Sequence, residues 1–66
     1  MEILVNVETT ECADGCTVAE LLTQLGIPTA GTALARNDTV VRKSDYAATR
    51  LAPGDRVEII RAVAGG

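Results

Sequence analysis

One short stretch of this chain carries a helical period longer than a single turn. Thr17-Val18-Ala19-Glu20 has the form of a capping box, in which the Thr17 hydroxyl accepts from the backbone N–H of Glu20 and the Glu20 carboxylate accepts from the N–H of Thr17. Behind it Val18, Leu21, Leu22 and Leu25 recur at i, i+3, i+4 and i+7, one apolar stripe that needs a flat partner. Gly26 ends the helix and Pro28 forbids its resumption. The rest of the 66 residues alternates or turns, so the stripe has only a sheet to pack against. A chain of this length forms one domain, burying roughly 60% of the surface its unfolded form exposes, with no room for a deep cleft.

The strands around the helix follow from period-two patterning. Met1, Ile3, Val5 and Val7 alternate with Glu2, Asn6 and Glu8, and only Leu4 breaks the pattern. Glu8-Thr9-Thr10 offers a turn and Glu11-Cys12-Ala13 a return strand, closed by Asp14-Gly15. A second hairpin is expected from residues 33–36 and 39–41 around Asn37-Asp38, residue types that tolerate left-handed backbone. Ser44-Asp45-Tyr46-Ala47-Ala48 has the makings of one helical turn with Ser44 as its N-cap and Tyr46, the sole aromatic, closing an edge of the core. Pro53-Gly54 carries the type II signature and launches a last strand at Arg56. The first and last strands are the most apolar, as expected of a central pair, and the long connection between them permits parallel pairing. The expected class is α+β: a roll in which one main helix lies across a mixed sheet of about five strands.

Composition narrows function mostly by exclusion. Nine acidic residues against six basic ones give a net charge of −3, the opposite of a nucleic-acid footprint. Cys12 and Cys16 stand as C-x-x-x-C in a chain with no histidine, a poor zinc set. Cys16 falls at N′ and Leu21 at N4, the positions of a hydrophobic staple, so small buried thiols are the better reading than a redox pair. No apolar segment follows a basic start, and no stretch is long enough to span a membrane, so a cytoplasmic monomer is expected. No glycine-rich phosphate loop is present, so no bound cofactor or metal is expected and any ATP would belong to a partner. Ser44 has no histidine to activate it. What remains is Gly65-Gly66, a carboxylate on a tail without side chains, able to enter a narrow site.

The order of elements, the Thr17-Val18-x-x-Leu21-Leu22 helix start, Pro53-Gly54-Asp55-x-Val57-Glu58-Ile59 and Ala62-Val63-Ala64-Gly65-Gly66 together resemble the ThiS-type sulfur carriers of thiamine biosynthesis, which have the ubiquitin-like β-grasp fold. The resemblance covers essentially the whole chain. It implies a β-grasp domain over 1–63 and a flexible tail over 64–66. It also implies that an adenylating, E1-like enzyme activates Gly66 with ATP. A cysteine desulfurase or sulfurtransferase then supplies persulfide sulfur, and the resulting thiocarboxylate donates to thiazole synthase. On this account Gly66 is the modified residue, Gly65 and Ala64 keep access narrow, and no residue of the chain is catalytic.

Two related readings stay open. A molybdopterin-type carrier ends in the same Gly-Gly but is usually longer between helix and third strand, and a ubiquitin-like modifier would be joined through Gly66 to lysine amines. A plain interaction domain with a frayed end is a third possibility. Partner docking is expected on the sheet face away from the helix, where Leu4, Ile60 and Ala62 point outward with Leu4 beside Ile60; against this stands the ordinariness of scattered surface aliphatics. Many relatives have Asn-Gly where this chain has Asn6-Val7. Because a β-branched residue disfavours positive φ, the turn is expected to shift to Glu8-Thr9. Relatives also often carry Pro at Arg42 and Trp at Tyr46, changes confined to loop rigidity and packing.

Overall fold

A computed structural model describes residues 1–61. Five strands and one helix follow in the order β1 (Glu2–Val5), β2 (Glu8–Glu11), α1 (Val18–Leu25), β3 (Thr32–Arg36), β4 (Thr39–Val41) and β5 (Arg56–Arg61), with a 3₁₀ turn at Lys43–Asp45 before the last strand. They form one mixed sheet in the order β2-β1-β5-β3-β4. The two hairpins therefore flank β5, which runs parallel to β1 (Leu4 opposite Arg56, Val5 opposite Val57) and antiparallel to β3 (Arg36 opposite Val57 through Thr32 opposite Arg61). This is the expected α+β, β-grasp arrangement. The expected division at 63/64 lies outside the described residues.

Helix α1 starts and stops where its local chemistry dictates. Thr17 Oγ1 accepts from Glu20 N at 3.1 Å, and Glu20 Oε1 accepts from Thr17 N at 2.8 Å, completing the capping box. Gly26 closes the helix in the left-handed conformation at φ 69°. The stripe of Val18, Leu21 and Leu22 is fully buried against Ile3 of β1, Val57 of β5 and Leu34 of β3. Each such side chain contributes about 1.5–3 kcal/mol by leaving water. Tyr46 is also buried, as are the free thiols of Cys12 and Cys16. Burial, with Cys12 and Glu20 close by, pushes the Cys16 thiol above its ordinary pKa, and its Sγ donates to the Thr17 carbonyl at 3.3 Å. Both cysteines are core residues here, in line with the staple.

The first hairpin departs from expectation. Its turn is Asn6-Val7, with φ of 48° and 63°, and the return strand is Glu8–Glu11 rather than the stretch from Glu11 to Ala13. Val7 leaves the buried face and is 91% exposed. The physical reason is twist: a two-residue turn with both residues left-handed matches the right-handed twist of paired strands, and a turn at Glu8-Thr9 would have lost the Val5–Glu8 pairing. Forcing a β-branched side chain into that region costs about 1–2 kcal/mol, which the rest of the fold must offset.

Ser44 is not an N-cap either. Arg42 occupies that position without a side-chain cap, and the turn closes through Asp45 N donating to Arg42 O at 2.8 Å and Tyr46 N donating to Lys43 O at 3.2 Å. The 3₁₀ hydrogen bonding begins at Arg42, two residues before the serine, so Ser44 falls inside the turn rather than at its N-cap. The second hairpin and the type II turn stand as expected, with Asn37 at φ 50°, Asp38 at 70°, Gly54 at 82°, and Asp55 N donating to Ala52 O at 3.1 Å.

Candidate functional site

Strand β5 carries the chain from the middle of the sheet towards its C-terminus. Ala62, Ala64, Gly65 and Gly66, the expected tail and part of the expected docking surface, lie outside the described residues. The described part of the site is the strand leading to them and the sheet face around it. Alternation along β5 buries Val57 and Ile59 under α1 and turns Arg56, Glu58 and Ile60 to the opposite face, where Ile60 is 64% exposed.

Leu4 lies on that same face, half-buried between Thr9 and Arg56, but it does not adjoin Ile60. Leu4 is in register with Arg56, and Ile60 stands four positions further along β5, roughly 13 Å at the rise of a strand, with Glu58 between them. The expected single patch is two places on one face. Ile60 instead faces Ala33 across the β5–β3 ladder, and Ala35 on β3 pairs with Val40 on β4, which is 73% exposed. Val40 escapes a reading of the sequence because three-residue β4 offers no alternation to set its phase. Leu4 and Val7 line a shallow groove with Arg56 and Glu58 at the other end of the face.

Two polar devices hold β5, and neither was expected from the sequence. Asp55, buried at the strand's entry, accepts from Arg36 Nε at 2.7 Å, Ala52 N at 2.8 Å and Asn37 Nδ2 at 3.1 Å. Burial alone would raise its carboxyl pKa, but the Ala52 N–H, the Asn37 amide and the Arg36 guanidinium more than offset that and hold it below the ordinary aspartate value. A legible signal existed: an acid three residues after Ala52 can reach back to its N–H across the Pro53-Gly54 turn, the same reach a capping-box glutamate uses. At the other end Asn6 Oδ1 accepts from Ile59 N at 2.8 Å while Asn6 Nδ2 donates to Ile59 O at 3.3 Å. These partners are 53 residues apart in sequence, beyond the range of any local pattern.

The arrangement has the character of a presenting device. Among the described residues no group of three or more His, Cys, Asp or Glu could hold a metal ion, and no helix is long and apolar enough to cross a membrane. A central strand pinned on both edges fixes where the following residues begin.

Comparison with known proteins bears on the same reading. The model of the ThiS family matches residues 3–66. Over 66 residues, 100% of each chain, the sequence is 41% identical to the "Sulfur carrier protein ThiS" of Escherichia coli (strain K12). It is also 35% identical over 66 residues to a "Thiazole synthase" of Paramagnetospirillum magneticum, matching 20% of that longer protein. A crystal structure of a thiamine biosynthesis protein (ThiS) from Geobacter metallireducens is similar with a TM-score of 0.85 at 29% identity, covering 100% of both chains. A solution structure of a thiamine biosynthesis protein from the same organism gives 0.81 at 30% identity, covering 100% of this chain and 88% of the other.

Proposed function

The chain belongs to the ThiS family, and on that premise we propose that it is a sulfur carrier of thiamine biosynthesis whose working group is the Gly66 carboxylate. The observation that carries the reading is the end-to-end match to a sulfur carrier, 41% identical with 100% of each chain covered, in a chain that closes on Gly65-Gly66. The chemistry explains why such a chain needs partners. At neutral pH a terminal carboxylate, with a reference pKa of about 3.3–3.7, is ionised and a poor electrophile. An adenylating enzyme lets a Gly66 oxygen attack the α-phosphorus of ATP, pyrophosphate leaves, and the acyl carbon becomes reactive.

A persulfide sulfur from a cysteine desulfurase or sulfurtransferase then displaces AMP at that carbon. Two electrons from a thiol cleave the resulting S–S bond and leave a thiocarboxylate. The acceptor is thiazole synthase; the sequence likeness to a segment of one such enzyme supports that partner. Gly65 and Ala64 offer little bulk to obstruct a channel that must admit a backbone and exclude water. The chain acts as carrier, in the cytoplasm, with ATP bound by its partner.

Intact mass of the chain incubated with its adenylating enzyme, ATP and a persulfide donor tests the reading. One terminal oxygen is expected to be replaced by sulfur, and deletion of Gly66 is expected to abolish the change. Accumulation of an isopeptide to a lysine instead would assign the chain to the modifiers.

A further inference from the structure

Strand β5 loses its neighbour on one side before it ends. The β1–β5 ladder pairs Leu4 with Arg56 and Val5 with Val57, and Asn6 N still donates to Val57 O at 2.9 Å. There the β1 backbone turns away, since Asn6 and Val7 are the left-handed pair of the hairpin. The Ile59 N–H and C=O would be left facing nothing. The Asn6 side chain supplies both missing groups, its Oδ1 accepting from Ile59 N at 2.8 Å and its Nδ2 donating to Ile59 O at 3.3 Å. A primary amide thus stands in for the next peptide of β1 and prolongs the parallel ladder by one step. Beyond Ile59 the described pairing of β5 is to β3 alone, through Ile60 opposite Ala33 and Arg61 opposite Thr32. Asn6 is therefore the last hold on the β1 side before residue 62.

We propose that Asn6 is a positioning residue for the acyl-activation step: by clamping Ile59 it sets the direction in which β5 hands the chain on to residues 62–66, and so the approach of Gly66 to the adenylating site. The proposal rests on the carrier reading above. Its logic is that of any near-attack geometry, where a displacement of about 1 Å at the reacting carboxylate can cost ~100-fold in rate. Asn6 acts through Ile59, the residue its amide holds. Asn6 also lines the groove beside Leu4 and Val7, so an effect through Ile59 is told apart from an effect on docking by its falling on turnover rather than on KM.

Asn37 provides the structural control. It has the same residue type and the same left-handed turn position, but its amide binds β5 at the entry, where Oδ1 accepts from Arg56 N at 2.9 Å, three residues upstream of Ile59. Glycine keeps positive φ available at either site, so Asn6→Gly and Asn37→Gly remove the amides without straining the turns. The experiment measures ATP–pyrophosphate exchange with the adenylating enzyme of the chain's own host, alongside amide exchange at Ile59 and urea unfolding. For Asn6→Gly the expected result is a loss of about tenfold in kcat, with KM for the chain within about twofold of wild type, and faster exchange at Ile59. Asn6→Asp keeps the acceptor for Ile59 N and is expected to fall between the two. Asn37→Gly is expected to lower the urea midpoint and leave kcat unchanged. Wild-type kcat in folded Asn6→Gly, or an equal loss of kcat in Asn37→Gly, would overturn the proposal while leaving the carrier reading standing. Absence of exchange with the wild-type chain would overturn both.

Discussion

The two hairpins are built alike and loaded differently. Each turns on a left-handed pair opened by asparagine, Asn6-Val7 and Asn37-Asp38, and each asparagine returns its amide to β5. At the second hairpin that amide also joins a buried carboxylate, Asp55, which Arg36 and Ala52 N bind as well, and Asp38 adds an exposed ion pair to Arg56 at 3.1 Å. The first hairpin has only the neutral amide, beside a strained and exposed Val7. Strand β5 is therefore locked by charge where it enters the sheet, whereas at Ile59 its β1 side rests on one neutral amide while its β3 side keeps the backbone ladder to Arg61. The charged contacts are concentrated at the entry of β5.

Asp55→Asn tests the strong end and should have the largest effect. Replacing a buried acceptor of three hydrogen bonds is expected to cost about 2–3 kcal/mol in urea unfolding at pH 7. The same carboxylate sets an acid limit. Its folded pKa lies below the unfolded value of about 3.9, so its contribution is complete above that value and is lost as pH falls through the lower folded value. Wild type should lose stability steeply below about pH 4, and Asp55→Asn should show a shallower slope there. An unchanged slope would remove the charge lock from the comparison.

Val7→Gly tests the weak end with the opposite sign. Relief of about 1–2 kcal/mol of left-handed strain, less about 0.5–1 kcal/mol for the freer unfolded chain, leaves a net gain of at most about 1.5 kcal/mol. Thermal or urea unfolding reads it, and a loss of stability would show that the exposed valine packs usefully. The smallest effect belongs to the matching position of the other turn. Asp38→Gly removes a residue that already tolerates positive φ and a pair exposed on both sides, so a change within about 0.5 kcal/mol is expected. A larger loss would mean that the Arg56 pair shares in the lock around Asp55.

Legibility followed the span of the interactions. The helix was readable because Thr17 and Glu20 satisfy each other three residues apart and Gly26 closes the same element. The Asn37-Asp38 turn and the Pro53-Gly54 turn were readable because the backbone angles they need match those their residues prefer. Asn6-Val7 was misread because Val7 prefers extended backbone and the reason to override that preference lies on another strand. The Ser44 turn was misread because a serine looks like a cap wherever one is wanted, whereas the hydrogen bonds begin at Arg42. Leu4 and Ile60 were placed on the correct face by period two, but period two carries no register between strands, so their separation was invisible.

The sequence by itself determined the single helix and its ends, the two later turns and the buried stripe. Tertiary structure alone decided where the first hairpin turns, that Arg36 and Asn37 complete the lock at Asp55, and that Asn6 completes the ladder at Ile59. The physical reason is reach. A hydrogen bond closed within four residues is encoded by its neighbours, while one closed across 53 residues exists only after β1 and β5 have been brought side by side.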